Sequence, residues 1–519
     1  MKSRMALFIT IICCLILVLS CSSGDDVSLV GDPDKFVGAM MADNLVVKEG
    51  FMKNVNIIES CCDPTKLMPM CYANNPGAPY LTAYLPEADG QTRINSPLNY
   101  YGYPPPPAST GIGKARSYRL AANEAIVIVG KTPPATSVYY SYISYLTLRC
   151  VTANCNPGAT PDFTNDYKRR FASMVDELNN QTIWTAGTPG GKTGNSFDKH
   201  MMIIITSDQE TNRRIRQAAH EAGYSDLVIN TIILPAEFVK FGIDYGKDEI
   251  GIVHRLAAWD DNYIANPPAR AFRVGSNSLT LDPFPTPALT PRGGKQMSEK
   301  VLFNDSIAAL RSAILTKYSD YAAMEYKTDR WVPEGRDCLA GDTNGTFNGY
   351  DCLGDNHDAI YLRFPDLAGG YPPALGNTFS LDNNPNDFII VYGVNHTKSG
   401  FTVYSSISTY RHAMLNGGNT KWIDAKDMSA IDYLKNTPYA SQAEYLYVLR
   451  VARSCSGITN EPCMEFPDCS GCPSNCKPEC KTTGANDLFL GMRAYLETAS
   501  GVGPSYDEII WDKAIHFKK

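Results

Sequence analysis

The first 26 residues constrain this chain most, because they predict the compartment in which the rest of it folds. Two basic residues, Lys2 and Arg4, precede an apolar run from Met5 to Leu19, and a polar stretch begins at Ser22. An apolar segment of this length is short for a membrane span, and its flanks are those of a cleaved export signal. The sequence therefore predicts folding outside the cytoplasm, where disulfide bonds form and persist.

The end of the apolar run carries a second signal. In Val18-Leu19-Ser20-Cys21 a small residue stands directly before a cysteine. This pattern is similar to the lipobox of bacterial lipoproteins, in which that cysteine receives lipid and becomes the new N-terminus. We expect a signal peptide over residues 1–20, lipidation of Cys21 and a lipid-anchored tether over residues 21–34. The expected location is the cell envelope, facing the periplasm or the cell surface, with secretion as the alternative.

Cysteine usage supports export and predicts a disulfide-stapled fold. Of the 16 cysteines, Cys13 and Cys14 lie in the signal and Cys21 would carry lipid, which leaves 13. Because this number is odd, one cysteine stays free, binds a metal or pairs between chains, unless Cys21 is not lipidated and pairs with it. The disulfide candidates are Cys150, Cys155, Cys338, Cys352, Cys455, Cys463, Cys469, Cys472, Cys476 and Cys480.

The segment from Cys469 to Cys480 has two interpretations. Its four cysteines have a spacing with which thiolates hold zinc or an iron–sulfur cluster. Two further cysteines, Cys455 and Cys463, stand just upstream. Their presence favours a knot of disulfides that staples a long loop, and a metal site is the weaker alternative.

A loop rich in oxygen ligands lies around Cys338 and Cys352, which are close enough in sequence for a local disulfide to be predicted between them. Calcium binds six to eight such oxygens on turn-rich loops. The EF-hand pattern fails here, because Thr346 and Leu353 stand where that motif needs ligands. A solvated cluster of turns is the alternative. Calcium is the candidate cofactor. Its candidate ligands are Asp342, Asn344, Asn348, Asp351, Asp355 and Asp358.

Two similar segments predict β-hairpins at the two ends of the chain. Residues 125–129 and 388–392 are apolar runs that end at Gly130 and Gly393, and each is followed by a loop and the pattern Tyr-Ser-x-Ile-Ser. This match aligns Tyr140 with Tyr404. Hairpins converge on β-branched and aromatic residues, so internal duplication and convergence both remain open.

The middle of the chain has mixed periodicity. A helix is predicted over residues 165–178, and a strand at 201–205, a helix ending near Ala222 and a strand at 227–234 follow it. The predicted fold is α+β and β-rich, with two β-sheet modules, duplicated or convergent, flanking an α+β middle segment. The predicted bounds are an N-terminal β-rich module at 35–155, an α+β module at 156–290 and a C-terminal β-rich module at 291–519 with a cysteine-rich loop at 455–480.

No motif in the sequence specifies a reaction. The chain has seven histidines, and none of them belongs to an HExxH zinc pattern. The Gly-x-Ser-x-Gly nucleophile elbow does not occur in the sequence either. A site assembled from distant positions would draw on polar residues that are more often structural than catalytic. The weak candidates are Asp198, His200, His254, Arg255, His357 and His396.

Charge and composition reduce the number of function classes that fit this chain. A net charge of −7 with no basic stripe disfavours nucleic acid as a partner. Thirty tyrosines on a β-rich scaffold suit recognition, because tyrosine supplies contact area at a low entropy cost. The leading hypothesis is a lipid-anchored binding protein that recognises a glycan or a protein ligand, with the membrane reached through its N-terminal lipid. The alternatives are an extracytoplasmic hydrolase with a site between modules and a structural component of an envelope complex.

Overall fold

The computed structural model describes residues 29–55, 75, 77–91, 114–151, 167–275, 281–294, 296–344, 351–366, 377–411, 416–423, 428–459, 461–466 and 488–519. The predicted signal peptide, Cys21, Cys155, Asn348 and the cysteines between 469 and 480 lie outside these residues. The helices are α1 (Pro33–Ala42), α2 (Gln209–Glu221), α3 (Asp261–Ala265), α4 (Glu299–Lys317), α5 (Gly335–Asn344) and α6 (Ile431–Leu434).

The strands of the first part of the chain are β1 (Val46–Glu49), β2 (Phe51–Asn54), β3 (Tyr80–Pro86), β4 (Lys114–Ala115), β5 (Ala125–Lys131), β6 (Tyr139–Cys150), β7 (Tyr167–Ser173), β8 (Leu178–Asn179), β9 (His200–Thr206), β10 (Ile229–Ile233), β11 (Glu249–Ala257) and β12 (Ala269–Gly275). Those of the second part are β13 (Ala322–Tyr326), β14 (Asp329–Arg330), β15 (Ala359–Phe364), β16 (Asp387–Val394), β17 (Tyr404–Arg411), β18 (Asn416–Trp422), β19 (Leu446–Ala452), β20 (Cys463–Glu465), β21 (Leu488–Tyr495) and β22 (Lys513–Lys518).

The chain consists of two halves that repeat one topology. In the N-terminal half, residues 29–275, one sheet has the order β1-β12-β5-β9-β10 and the other has the order β2-β3-β11-β6-β7. In the C-terminal half, residues 299–519, the orders are β13-β22-β16-β19-β20 and β14-β15-β21-β17-β18. Each of the ten strands in these two orders has a counterpart at the same place in the other half, whereas β4 and β8, which pair with β3 and β6, lie outside the orders. The pairs β9/β10 and β19/β20 are both parallel. The duplication hypothesis is therefore confirmed at the level of topology.

The two segments predicted to be β-hairpins occupy equivalent places in the two halves, but the prediction that the two strands of each segment pair with each other is wrong. Strand β5 pairs with β9 and β12, whereas β6 pairs with β11 and β7 in the other sheet. Strands β16 and β17 are divided between sheets in the same way. Both strands of each predicted hairpin are buried, so each finds partners on both sides in a separate sheet, and the connecting loop crosses from one sheet to the other.

The helix predicted over residues 165–178 is also wrong. Residues Tyr167–Ser173 form strand β7, which pairs antiparallel with β6. The apolar residues that suggested a helical face are distributed instead along an edge strand and the turn after it. Tertiary pairing with β6 overrides the helical spacing.

The predicted strand–helix–strand unit over residues 201–234 is present as β9, α2 and β10. It does not belong to a module of its own, because β9 pairs with β5 and thereby joins the N-terminal sheet. Strands β11 and β12 likewise pair with strands before residue 155. The α+β, β-rich class is confirmed, and the residues assigned to the middle segment complete the N-terminal half.

Within the described residues, the buried hydrophobic side chains form five clusters in this arrangement. Helices α1 and α2 pack on the first N-terminal sheet, and the two N-terminal sheets enclose a second cluster. The C-terminal half repeats this with α4 against its outer sheet and a core between its sheets. A fifth cluster joins the inner sheets of the two halves. No helix in the described part of the chain is long and apolar enough to cross a membrane.

Two disulfides join predicted candidates. Cys338 pairs with Cys352 as predicted, and Cys455 pairs with Cys463, a pairing that the sequence did not specify. Cys150 is disulfide-bonded as well, and its partner lies outside the described residues. The described cysteines thus support the prediction of a stapled fold.

Candidate functional site

The contact between the two halves is built around two buried arginines that occupy equivalent positions. Arg255 on β11 lies opposite Tyr80 and Ser141, and Arg493 on β21 lies opposite Tyr361 and Ser406. Each arginine is nearly inaccessible to solvent. These registers give the residue correspondence between the halves directly.

The arginines hold tyrosine hydroxyls of both halves. Arg255 donates to Tyr361 across the contact at 2.9 Å and to Tyr145 of its own half at 3.0 Å. Arg493 donates to Tyr410, the counterpart of Tyr145. The charges of both arginines also act on Tyr80, where they oppose the rise in its pKa that burial causes. The contact is therefore reciprocal, as in an isologous dimer.

The structural correspondence corrects the sequence match by one residue. Tyr139, two residues before Ser141, corresponds to Tyr404, two residues before Ser406. Tyr139 and Tyr404 both belong to the cluster between the halves, whereas Tyr140 points into the N-terminal core. This contact is filled with buried side chains at these residues, so it offers no groove for a ligand there.

A short acidic segment, residues 351–358, docks the C-terminal half onto the N-terminal half. Asp355 accepts hydrogen bonds from the backbone and hydroxyl of Ser173, at 2.8 and 2.6 Å. Asp358 accepts from Tyr139 at 2.9 Å and from Asn179 at 2.8 Å. Burial raises the pKa of Asp355 to about 6 and that of Asp358 to about 7.

The calcium candidates are not gathered around one point. Asp342 and Asn344 lie in α5, Asp351 forms an ion pair with Arg169, and Asp355 and Asp358 hold the partners just described. Within the described residues, no group of three or more His, Cys, Asp or Glu side chains has an arrangement that could hold a metal ion. The carboxylates of this segment serve the contact between the halves.

The weak catalytic candidates do not converge on a common site, although Asp198 and His200 are neighbours. His254 is buried in the N-terminal core and stacks on Tyr142 with ring centroids 4.1 Å apart, and burial lowers its pKa to about 4. His357 contacts Glu334 at 3.1 Å at the contact between the halves. Asp198 forms an ion pair with Lys131 at 3.4 Å. His200 begins strand β9 beside it, and burial and the charge of Lys131 lower its pKa.

His396 is enclosed in the C-terminal half by two carboxylates. Its Nδ1 lies 2.9 Å from Glu299 and its Nε2 lies 3.8 Å from Asp512, and all three side chains are fully buried. Burial opposes protonation of His396, but the two carboxylates outweigh it and raise its pKa to about 10. A buried imidazolium between carboxylates has no access to a substrate, so its role is structural.

A pocket of about 490 Å³ opens in the C-terminal half, beside the end of β13. Its lining consists of residues 324–327, Pro365, Asp366, residues 377–380 and His516 of β22. The pocket size is within the range of small-ligand sites in proteins.

A chain of hydrogen bonds stands behind this pocket. The Nε2 of His516 lies 2.5 Å from Asp387, and its Nδ1 lies 2.8 Å from the Tyr326 hydroxyl. Burial favours the neutral carboxyl of Asp387, but hydrogen bonds from His516, the Asp382 backbone and Lys518 lower its pKa. The ionised carboxylate accepts the Nε2 proton, and Nδ1 contacts the Tyr326 hydroxyl, which lines the pocket.

The N-terminal half closes the equivalent place. Aligning Gly130 with Gly393 sets Arg273 at the position of His516 and Glu124 at that of Asp387. Arg273 donates to Glu124 at 2.6 and 2.8 Å. It also donates to the Pro86 carbonyl at the end of β3, at 3.3 Å, and to the Gln91 amide oxygen in the segment that follows, at 3.0 Å. A satisfied arginine and the chain itself occupy this position.

Sequence reasoning missed this site. His516 appeared only as one of seven histidines, and nothing near it in the chain resembles a motif. One signal was present, because an acidic residue stands six positions before both Gly130 and Gly393, namely Glu124 and Asp387. Extending the repeat by these positions would have marked Asp387, but its partner lies 129 residues away.

Comparisons with known proteins give limited information. No family model and no curated protein matches this chain. Among solved structures it is similar to a protein of Vibrio parahaemolyticus, with 12% identity and a TM-score of 0.30 over 78% of this chain and 87% of that one. It is also similar to an uncharacterized protein from Burkholderia cenocepacia, with 8% identity and a TM-score of 0.32 over 93% of this chain and 86% of that one.

Proposed function

We propose that this protein is an exported, lipid-anchored binding protein of the cell envelope, and that it binds its ligand in the pocket of the C-terminal half. The observation that carries the proposal is the pocket of about 490 Å³, whose lining includes His516 and Tyr326. Hydrogen bonds of His516 with Asp387 and Tyr326 hold these side chains in place. A concave site with a few fixed polar groups is the usual form of a small-ligand site.

Binding suits this pocket better than hydrolysis. A general base needs a ring nitrogen that reaches a nucleophile or water. Both nitrogens of His516 already have partners, Tyr326 and Asp387. Burial and the charge of Asp387 also raise the pKa of Tyr326, which keeps its hydroxyl protonated and weakly nucleophilic. These groups are arranged to hold a fixed hydrogen-bonding surface.

The ligand classes are a glycan and a protein segment, since both present hydrogen-bond donors and apolar surface. The rings of Tyr326 and Phe379 stack 5.7 Å apart beside the pocket and offer aromatic surface. The Tyr326 hydroxyl supplies a hydrogen-bonding group, and Lys327 and Asp366, 3.6 Å apart, supply charges of both signs.

The pocket is tested with one variant and one matched control. Purified protein is screened on a glycan array and against a random peptide library. We expect Tyr326→Phe to weaken any specific ligand about tenfold, because it removes one hydrogen-bonding group from a desolvated site. The control is Tyr321→Phe, which lies in the same half and outside the pocket lining. Equal binding by wild type and Tyr326→Phe would remove the pocket from the proposal.

The anchor is tested separately. We expect Cys21→Ser to move the protein from the membrane fraction to the soluble fraction with its fold intact, because the substitution removes the acyl acceptor. The matched control is Cys14→Ser, within the predicted signal, which should leave the anchored protein unchanged. Mass spectrometry of the mature protein showing a residue other than a lipidated Cys21 at the N-terminus would contradict the anchor.

A further inference from the structure

Two large apolar side chains lie close together on the surface of the N-terminal half. Trp184 is 38% exposed and Leu227 is 41% exposed. Both border a pair of glycines: a β-carbon on Gly190 would lie 3.0 Å from the Leu227 side chain, and one on Gly191 would lie 2.9 Å from the Trp184 indole nitrogen. Because glycine has no side chain, this pair leaves both apolar groups uncovered.

The backbone holds these two side chains in fixed places. The buried side chain of Asn230 in β10 accepts a hydrogen bond from the Trp184 backbone N–H and donates one to its carbonyl, both at 2.8 Å. Leu227 lies in the 3₁₀ turn Asp226–Val228, which the burial of Val228 fastens to the core. Among the described residues, the Trp184 indole N–H has no hydrogen-bond acceptor. The result is a preformed apolar surface with one available donor.

This surface lies where the chain leaves toward the predicted lipid. The backbone N–H of Ser225, two residues before Leu227, donates to the Leu29 carbonyl at 3.2 Å. Eight residues separate Cys21 from Leu29, and an extended chain of that length spans at most about 29 Å. A compact body of the size of residues 29–275 has a diameter of about 45 Å. A lipid on Cys21 therefore places Leu29 on the side of the N-terminal half that is nearer to the membrane.

From this placement we propose that Leu29, Trp184 and Leu227 form a membrane-facing surface, which contacts the bilayer in which Cys21 is anchored. The proposal rests on the lipid anchor of the proposed function and adds a second contact with the same membrane. Lipid anchoring becomes stable when a second membrane-binding signal accompanies an acyl chain. Tryptophan suits the boundary between headgroups and acyl chains, because its ring is apolar and its N–H donates to polar groups.

The charges and the repeat support this assignment. Asp226, the carboxylate next to Leu227, is paired with Arg216 at 2.6 Å, and the exposed Lys192 directly follows the two glycines. In the C-terminal half, the segment before the equivalent strand β20 has polar exposed side chains, namely Ser454, Ser456 and Thr459. Exposed apolar side chains are therefore not a requirement of the fold at this place.

Tryptophan quenching tests the surface on the full mature, lipidated protein. The protein is reconstituted in vesicles of phosphatidylethanolamine and phosphatidylglycerol, with and without brominated acyl chains, and the signal of one tryptophan is the difference between wild type and its Trp→Phe variant. We expect the brominated chains to quench the signal of Trp184. The matched control is Trp259, which is 42% exposed but donates to Asp261 at 3.0 Å. Its signal should stay unquenched, because the neighbouring carboxylates of Asp260 and Asp261 are costly to bring into a bilayer.

Transfer of the lipidated protein from these vesicles to acceptor vesicles measures the strength of the second contact. We expect Leu227→Ser to raise the transfer rate about tenfold, because it removes an apolar side chain from the membrane boundary. The matched control is Ile431→Ser in α6 of the C-terminal half, where Ile431 is 48% exposed. This control should leave the transfer rate unchanged.

The outcomes separate this proposal from the anchor. Mass spectrometry that finds lipid on Cys21, together with an unquenched Trp184 or with equal transfer rates for wild type and Leu227→Ser, would keep the anchor and overturn the membrane-facing surface. Equal quenching of Trp184 and Trp259 would overturn it as well. A mature protein without lipid on Cys21 would overturn the anchor and the surface that depends on it. Quenching of Trp184 alone, with faster transfer in Leu227→Ser and not in Ile431→Ser, would support the surface as proposed.

Discussion

Two buried histidines show how identical side chains acquire different charges in this protein. His254 stacks on Tyr142 and forms hydrogen bonds with the Ser141 carbonyl at 3.0 Å and the Tyr263 hydroxyl at 3.2 Å. No charged group among the described residues lies against it, so burial dominates and its pKa falls to about 4. His396 is as deeply buried, but Glu299 and Asp512 raise its pKa to about 10. At neutral pH the first is a neutral aromatic ring and the second is a cation.

This difference predicts unequal effects of the same substitution. His396→Phe leaves Glu299 and Asp512 buried without their cation and should lower the free energy of unfolding by about 3–5 kcal/mol. His254→Phe keeps the aromatic stacking and loses two hydrogen bonds, at a cost of about 1–3 kcal/mol. Denaturant unfolding at pH 7 measures both. A larger loss for His254→Phe would contradict the charge assignment.

The pH dependence of the His396 effect has a definite sign. Its pKa is higher in the folded protein than the ordinary value of 6.5, so the folded state binds the proton more tightly. The stabilisation is fully present below pH 6.5 and is lost as the pH rises through about 10. The difference in stability between wild type and His396→Phe should therefore shrink as the pH approaches 10.

At the scale of elements, the disulfide Cys338–Cys352 connects helix α5 to the segment that docks the two halves. The backbone N–H of Cys352 donates to Arg170 of β7 at 2.7 Å. The bond closes a loop with a sequence separation of 14. We expect Cys338→Ala/Cys352→Ala to lower the free energy of unfolding by about 3 kcal/mol.

The matched variant is Cys455→Ala/Cys463→Ala, which opens a loop with a sequence separation of 8 away from the contact between the halves. Its cost should be smaller, about 2 kcal/mol. Hydrogen exchange should accelerate at residues 351–358 only in the first variant. Equal exchange at this segment in both variants would show that the first disulfide does not fasten it.

The elements also show what local sequence could and could not predict. Strands β5, β9 and β16 were predicted because they are uninterrupted apolar runs, and α2 because an N-cap and a terminal glycine bound it. The prediction of a helix over residues 165–178 was wrong because β7 is held by pairing with β6, which lies outside the short stretch of sequence from which a helix is predicted. The pairing of β5 and β6 failed for a related reason: a short loop between two strands suits a hairpin and a crossing between stacked sheets equally well.

At the scale of the whole molecule, the described contact between the halves depends on buried carboxyl groups that keep their protons to a higher pH than exposed carboxyl groups do. Burial raises the pKa of Glu177, Asp355 and Asp358, and neighbouring carboxylates add to the effect for Glu177. His357 and Arg292 face Asp358 and oppose the rise. Groups whose pKa is raised in the folded state stabilise it most below their ordinary pKa.

We therefore expect the protein to lose stability as the pH rises from about 4, with the losses of Asp355 and Asp358 complete above about 6 and 7. Asp358→Asn keeps an acceptor for Asn179 and removes the ionisable group, so it should flatten this dependence and raise the melting temperature above pH 7. The control is Asp382→Asn at the exposed end of the C-terminal sheet. An unchanged slope in Asp358→Asn would contradict the role assigned to this carboxyl.

The arrangement of Arg255 and Arg493 has a consequence for how the two halves can vary. Arg255 donates to Tyr361 of the other half, and the charge of Arg493 acts on Tyr80, the counterpart of Tyr361. Two separate copies of one half, related by a twofold axis, would make such a contact twice. When both halves are encoded in one chain, however, a substitution enters one of two equivalent positions and spares the other. Arg273 and His516 are two different residues at one such position.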